Sequence, residues 1–387
     1  MNSCRELLER MLGFDTINGS LSKKPHPERD LALYLEELAA SWGLQTRRCP
    51  VQNDHFNLLI TCQGAADADW LLFDSHLDTV SVNGMSIAPF TAVYRDGKIF
   101  GRGACDTKGS GAAMLWALRQ YAQQPRRDFN VGLLFSIDEE AGMTGAAAFT
   151  LGELGKWSAH SRIRGIIVGE PTQMRPVIAH GGLVRGKIVT RGRAAHSSDP
   201  AKGKSAISLM VKVVAAFESS YIPTITARHP LAGKAVASIN VIHGGSQVNI
   251  IPDYCEVELD RRLMPGETVA GVLLELERLI ESLRPAKSGD DEITFKPVFT
   301  LEALNPEGAD GFVQFVGEVL KKKGLDDTSI GAPWATNASH YSTRIPAIVM
   351  GPGDIAQAHT SDEWIAVSQL DLAARIYLDL MRSPAAD

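Results

Sequence analysis

The sequence contains no Cys-x-x-Cys pair: its five cysteines, Cys4, Cys49, Cys62, Cys105 and Cys255, are scattered and odd in number. That pattern excludes a zinc cluster built on thiolates and fits a reducing compartment, so a cytoplasmic location is expected. Basic residues are not in excess: 39 Lys and Arg stand against 45 Asp and Glu, a net charge of −6. With no basic cluster either, a nucleic-acid surface is not expected. No apolar run is long enough to span a bilayer, and residues 1–10 begin an amphipathic helix without the apolar centre of a signal peptide. No membrane partner is therefore expected. Internal repeats and low-complexity segments are also missing, and the charged stretch 285–291 reads as a loop. What remains is ordinary soluble-protein composition, 44% hydrophobic and 22% charged, over 387 residues. That length exceeds one hydrophobic core, and two domains are the expectation.

Hydrophobic periodicity divides the chain into three stretches. In residues 1–181, helical patterns at 4–12, 31–45, 106–118 and 144–151 alternate with short apolar runs at 57–62, 70–74, 130–137 and 165–169. Strands alternating with helices predict an α/β fold, a mixed and mostly parallel sheet with helices on both faces. Residues 182–302 differ in texture. Strand 183–191 alternates apolar and polar, a helix covers 206–218, two alternating strands cover 237–243 and 255–263, and helix 269–283 precedes strand 293–301. This β-α-β-β-α-β order predicts a ferredoxin-like α+β module inserted into the larger domain. The α/β texture then resumes over 303–387 with helix 311–322, strand 346–350 and helix 367–381.

Ligands of a parallel sheet sit beyond the carboxyl ends of its strands. In this chain those ends carry His76 and Asp78, then Asp106 at the start of a helix, Glu139 and Glu140, Glu170, and His359 after Gly351-Pro352-Gly353. His76 and Asp78 point to one side of an extended segment, so they can touch each other or one common object. Five carboxylates and two imidazoles in one crevice repel strongly unless a cation compensates them. Mixed His and carboxylate ligation without cysteine suits zinc, and the number of donors suggests two ions about 3.5–4 Å apart bridged by a carboxylate and a water. One further carboxylate is then needed as general base, and adjacent Glu139 and Glu140 offer that division of labour.

The motifs Ser75-His76-Leu77-Asp78-Thr79-Val80, Gly101 to Gly109 around Asp106, Asp138-Glu139-Glu140, Gly169-Glu170-Pro171-Thr172 and Ala358 to Glu363 resemble those of the co-catalytic zinc peptidases. That family includes acetylornithine deacetylase, succinyl-diaminopimelate desuccinylase, aminoacylase and glutamate carboxypeptidase. The resemblance implies that Asp106 bridges two Zn2+ ions, for which Co2+ can substitute. His76 and Glu170 would complete one metal position, and Glu140 and His359 the other. It further implies Glu139 as the base, Asp78 as the partner that orients His76, and a cis peptide after Asp106. The inserted module becomes a lid and dimerisation domain, and a homodimer is expected. Its His196 is similar to the family's histidine that reaches a neighbouring subunit and stabilises the oxyanion. Asn249, within Gly244 to Asp253, and Arg262 resemble the elements that hold a substrate carboxylate. The length and the Gly-Glu-Pro-Thr run look most like the acetylornithine deacetylase and desuccinylase branch, which implies removal of an N-acyl group from a small acylated amino acid. Asn337 replaces the acidic residue found at the matching place in acetylornithine deacetylases, where it could recognise a distal amine. A dipeptidase or carboxypeptidase acting on short peptides is the alternative within the family, and a metal-free binding protein the alternative outside it.

Overall fold

The computed structural model describes residues 1–65, 67–284 and 292–383, so the loop read at 285–291 lies outside the described residues. The chain divides into two compact units. The first comprises Met1–Ile178, Pro306–Ile330 and the stretch from Thr336 onward; the second comprises Ala179–Asn305 and Gly331–Ala335.

The first unit contains most of an eight-stranded sheet. Its strands are β1 (Gln45–Pro50), β2 (Phe56–Cys62), β3 (Trp70–His76), β4 (Asn130–Ser136), β5 (Ile163–Val168), β6 (Val177–His180), β7 (Ile330–Ala332) and β8 (Ala347–Val349). Their spatial order is β1-β2-β4-β3-β5-β8-β6-β7. The four central strands β4, β3, β5 and β8 are parallel, and antiparallel pairings flank them at β1-β2, β2-β4 and β8-β6. The mixed, mostly parallel sheet expected from the alternating pattern is therefore present. Its central strands read as continuous apolar runs because both faces are covered, and every residue of β4 is buried.

Alternate side chains go to opposite faces. Leu71, Phe73, Val131, Leu133 and Phe135 join one apolar cluster with helices Cys4–Leu12, Lys108–Ala122 and Val367–Arg382. The other face meets Phe149, Trp157 and Tyr341, where Phe149 lies edge-on to both other rings at 6.3–6.4 Å. Helix Lys108–Ala122 opens on small residues for a steric reason. A Cβ on Gly111 would lie 2.8 Å from the Phe135 ring and 2.9 Å from the Ser75 hydroxyl, so glycine lets this helix seat closely on β3 and β4.

The sequence pattern did not reveal β1, β6 or β7, nor a small sheet formed by Val93–Arg95, Lys98–Phe100 and Trp364–Ala366. These strands are three to six residues long, held by their neighbours rather than by their own periodicity. β1, with the sequence Gln-Thr-Arg-Arg-Cys-Pro, buries only Cys49. The helix expected over 31–45 is Arg29–Ser41, and β1 takes up its last residue.

The second unit is a four-stranded antiparallel sheet in the order Val236–Gly244, Tyr254–Leu263, Gly182–Arg191, Ile293–Leu301. Helices Ala206–Ala216 and Val269–Leu283 fall between these strands in the sequence, giving the β-α-β-β-α-β order of a ferredoxin-like module. Both helices pack on one face through Leu209, Met210, Val213, Val272, Leu276 and Ile280. The opposite face is charged: Arg185 meets Asp260 at 2.9 Å, and Lys187 meets Glu258 at 2.9 Å and Glu256 at 3.3 Å.

Candidate active site

Within the first unit, four parallel strands deliver their following loops to one place. His76 is the last residue of β3, and Glu139 and Glu140 follow β4. Glu170 follows β5, and His359 follows β8 after a longer loop. Asp106 arrives from the turn before helix Lys108–Ala122, and the Asp106–Thr107 peptide is cis, as the resemblance implies. Two of these residues need the left-handed backbone region, Asp138 at φ 63° and His359 at φ 63°. Such non-glycine positions are strained and persist where the surrounding structure fixes them.

Asp106 is the centre. Its Oδ1 lies 3.2 Å from His76 Nε2, and its Oδ2 lies 3.3 Å from His359 Nε2. One carboxylate thus presents a separate oxygen to each of two imidazoles. Around it, Glu170 Oε1 is 3.9 Å from His76 Nε2, and Glu140 Oε2 is 3.2 Å from His359 Nε2. One ligand atom each from His76, Asp106 and Glu140 falls within a mutual spread of 4.8 Å, a set that could hold a metal ion. His76 is oriented for this, because its Nδ1–H donates to the Asp78 backbone carbonyl at 2.9 Å and leaves Nε2 as the ligand atom.

Electrostatics describe the same crowding. Burial pushes the Glu139 carboxyl well above the usual range, and Glu170 and Glu140 push it further. Glu170 is pushed up to about 8, by burial first and then by Asp106. Burial would raise Asp106 too, but its bonds to His359 and His76 outweigh burial and hold it low. His359 is raised to about 10 by Asp106 and Glu140. A donor set in which carboxyls compete for protons and imidazoles for carboxylates is one that a divalent cation would satisfy. The residues present fit a metal.

Asp78 has a wider part than the orienting role expected of it. It is its backbone carbonyl that takes the His76 Nδ1–H, while its carboxylate lies 3.5 Å away. That carboxylate instead accepts the backbone N–H groups of Glu139 and Glu140, both at 3.0 Å. It therefore anchors the loop that carries the candidate base.

Two contributors escaped the sequence reading. Glu363, 0% exposed, accepts the N–H groups of Gly103, Cys105 and Asp106 at 2.8–3.0 Å. It also pairs with buried Arg102 at 2.7 Å. One carboxylate so shapes the whole turn that delivers Asp106. The available signal was an arginine and a glutamate, each lying within the motifs around Asp106 and His359. Asn18 is the other, with its amide on Asp78 and Asp138 at 2.8 and 2.9 Å; nothing near residue 18 marks it in sequence. Lys108 donates to the Phe14 carbonyl at 2.9 Å, and burial brings it down to about 7.

Asn337 belongs to the first unit but is 1% exposed, and its amide donates to Asp74 at 3.1 Å and Ser136 at 3.0 Å. Those bonds engage both amide hydrogens inside the protein. His196, Asn249 and Arg262 are in the second unit. His196 is exposed on a two-residue strand paired with Ile250–Ile251, its Nδ1 2.7 Å from the Ser198 hydroxyl. Exposed Asn249 is next to it, its carbonyl accepting the Ser197 N–H at 3.0 Å. Arg262 lies on strand Tyr254–Leu263 and donates to Asp260 at 2.6 Å.

The sequence profile of the peptidase family M20/M25/M40 matches residues 72–383. The chain belongs to this family. It is accordingly a hydrolase acting on amide bonds. Solved structures of M20-type enzymes share its fold over nearly the whole length. An M20 family metallo-carboxypeptidase from Sulfolobus solfataricus superposes with a TM-score of 0.80 at 16% identity, covering 99% of both chains. An aminopeptidase PepT from Bacillus cereus gives 0.77 at 19% identity, covering 99% of this chain and 98% of its own. A dinuclear metal binding peptidase of the M20 family from Bacillus subtilis gives 0.71 at 16% identity, covering 98% and 97%. At such identities the likeness concerns the fold.

The turn around Asp106 yields a prediction. Glu363→Ala would strand the Arg102 guanidinium and three N–H groups in the interior, so a stability loss of about 3–5 kcal/mol is expected. Chemical denaturation measures it. A loss below about 1 kcal/mol would show that Glu363 does not organise the turn.

Proposed function

We propose that this M20-family hydrolase removes the acyl group from an N-acyl-amino acid, in the manner of the acetylornithine deacetylase branch, and that it uses two zinc ions. The observation that carries the reading is the Asp106 carboxylate set between His76 and His359, with Glu140 and Glu170 beside them. On this reading Asp106, His76, Glu170, Glu140 and His359 would hold the ions. Bound zinc would supply polarisation of the amide carbonyl and acidification of the attacking water. Glu139, alongside these ligands yet outside them, takes the proton from that water and returns it to the leaving nitrogen. Its burial supports this role, since a carboxyl pushed upward holds a proton more readily through the cycle.

The Gly169-Glu170-Pro171-Thr172 motif and the chain length favour the deacylase branch over the rest of the family. Neutral Asn337, in place of the acidic residue that would pair with an ornithine amine, weakens the case for ornithine as the amino acid. The aminopeptidase and metallo-carboxypeptidase among the similar structures favour a second reading, cleavage of short peptides by the same chemistry.

A homodimer through the second unit is part of the proposal. Strand Val236–Gly244 is a sheet edge with Val236 44% and Ile242 57% exposed. The nearby helix Ala206–Ala216 exposes Val211 at 59%. An exposed apolar edge of this kind is usually covered. In such a dimer the exposed His196 would serve the oxyanion of the neighbouring subunit.

Purified protein with added zinc is expected to hydrolyse one or more N-acyl-amino acids from a panel of N-acetylornithine, N-acetylcitrulline, N-succinyl-diaminopimelate, other N-acyl-amino acids and dipeptides. Activity should disappear with chelator and return with zinc or cobalt. Cleavage of dipeptides alone would replace the deacylase reading by the peptidase one. Glu139→Gln should keep its zinc, measured by elemental analysis, and lose at least 100-fold in kcat; retained turnover would remove Glu139 from the base role. Ile242→Asp should convert the dimer to monomer in sedimentation velocity, and a wild-type monomer at micromolar concentration would refute the dimer.

A further inference from the structure

Residues before Leu72 lie outside the stretch that matches the family, yet one of them holds the loop that carries Glu139. Thr79 donates its N–H to the Thr16 carbonyl at 3.0 Å, and Asn18 donates its own to the Thr79 carbonyl at 2.9 Å. This short parallel bridge fixes Asn18 beside Asp78. The buried Asn18 amide then donates to two carboxylates, Asp78 Oδ2 at 2.8 Å and Asp138 Oδ1 at 2.9 Å. A neutral group with two N–H donors can satisfy both without adding charge. Asp78 passes the constraint on, since it accepts the N–H groups of Glu139 and Glu140. Asp138, which immediately precedes Glu139, has left-handed backbone and a second side-chain tie, from the Thr144 hydroxyl at 2.7 Å.

We propose that Asn18 is a positioning residue for amide hydrolysis, holding Asp78 and Asp138 together and thereby setting where Glu139 sits. This rests on the reading of Glu139 as the base. Asn18 itself touches neither the candidate metal ligands' donor atoms nor, on this reading, the substrate.

The test uses the full chain with Asn18→Ala and Asn18→Asp. Amide hydrogen exchange, followed by mass spectrometry, needs no substrate. In Asn18→Ala the Glu139 and Glu140 amides are expected to exchange at least tenfold faster, while those of Asn130–Ser136 stay at the wild-type rate. In steady-state assays on the panel substrate that the wild-type protein turns over, kcat is expected to fall about 10- to 100-fold with KM within about twofold. Asn18→Asp, which sets a third carboxylate between two others, is expected to lose more than Asn18→Ala. A merely structural role would accelerate exchange across the whole sheet and leave kcat per folded molecule unchanged, and that result would overturn the proposal. So would unchanged exchange at Glu139 and Glu140, or an Asn18→Asp variant as active as wild type. The two readings fail separately. Glu139→Gln with full activity would sink the base assignment even where Asn18→Ala frees the loop. An inactive Glu139→Gln beside an unaffected Asn18→Ala would sink only the positioning role.

Discussion

The first unit is arranged around one electrostatic constraint: a single carboxylate, Asp106, shared between the Nε2 atoms of His76 and His359. The other acidic groups around this pair, Asp78, Glu139, Glu140 and Glu170, are half-buried or buried. Like charges at such distances are costly in a desolvated crevice, and proteins accept that cost where a cation is to be held. The strained backbone at Asp138 and His359 follows from the same requirement, because each sits where a loop must turn to aim a polar residue at the crevice.

What makes the arrangement possible is the parallel centre of the sheet. β4, β3, β5 and β8 run in one direction, so the loops after them open at one edge. The ligand groups come from segments up to nearly three hundred residues apart, and rigid strands fix them more firmly than loops could. A second layer then locks each loop. Glu363 gathers the backbone of the turn before Asp106, and Asp78 gathers the backbone of the turn that bears Glu139. Both are carboxylates that accept main-chain N–H groups, the strong charge-assisted form of the bond.

The second unit meets a different requirement. Its antiparallel sheet needs cover on one face only, which the two helices supply, and ladders of Arg, Lys, Asp and Glu solvate the other. Its edge strand and outer helix keep apolar side chains in solvent, a pattern suited to association more than to isolation.

Much of this was legible in the sequence. The period of the apolar residues determines the element types, since a doubly covered strand must be apolar throughout and a half-covered one must alternate; β4 and strand Gly182–Arg191 are the two cases. The placement of His76, Glu139, Glu140 and Glu170 just past such runs already identified the reactive edge of the sheet. Short edge strands such as β1 and β7 were not legible, because their conformation comes from a neighbour's hydrogen bonds. Nor were Asn18 and Glu363: a buried hydrogen-bond partner is defined by which groups it meets, and those lie 60 and more than 250 residues away. Asn337 shows the converse, a residue placed in the right region by sequence and turned by packing onto Asp74 and Ser136. Local pattern determines what each segment becomes and which chemistry its ends carry. Only the tertiary structure decides which polar atoms face one another, because that choice is made by contacts between segments that the linear order keeps apart.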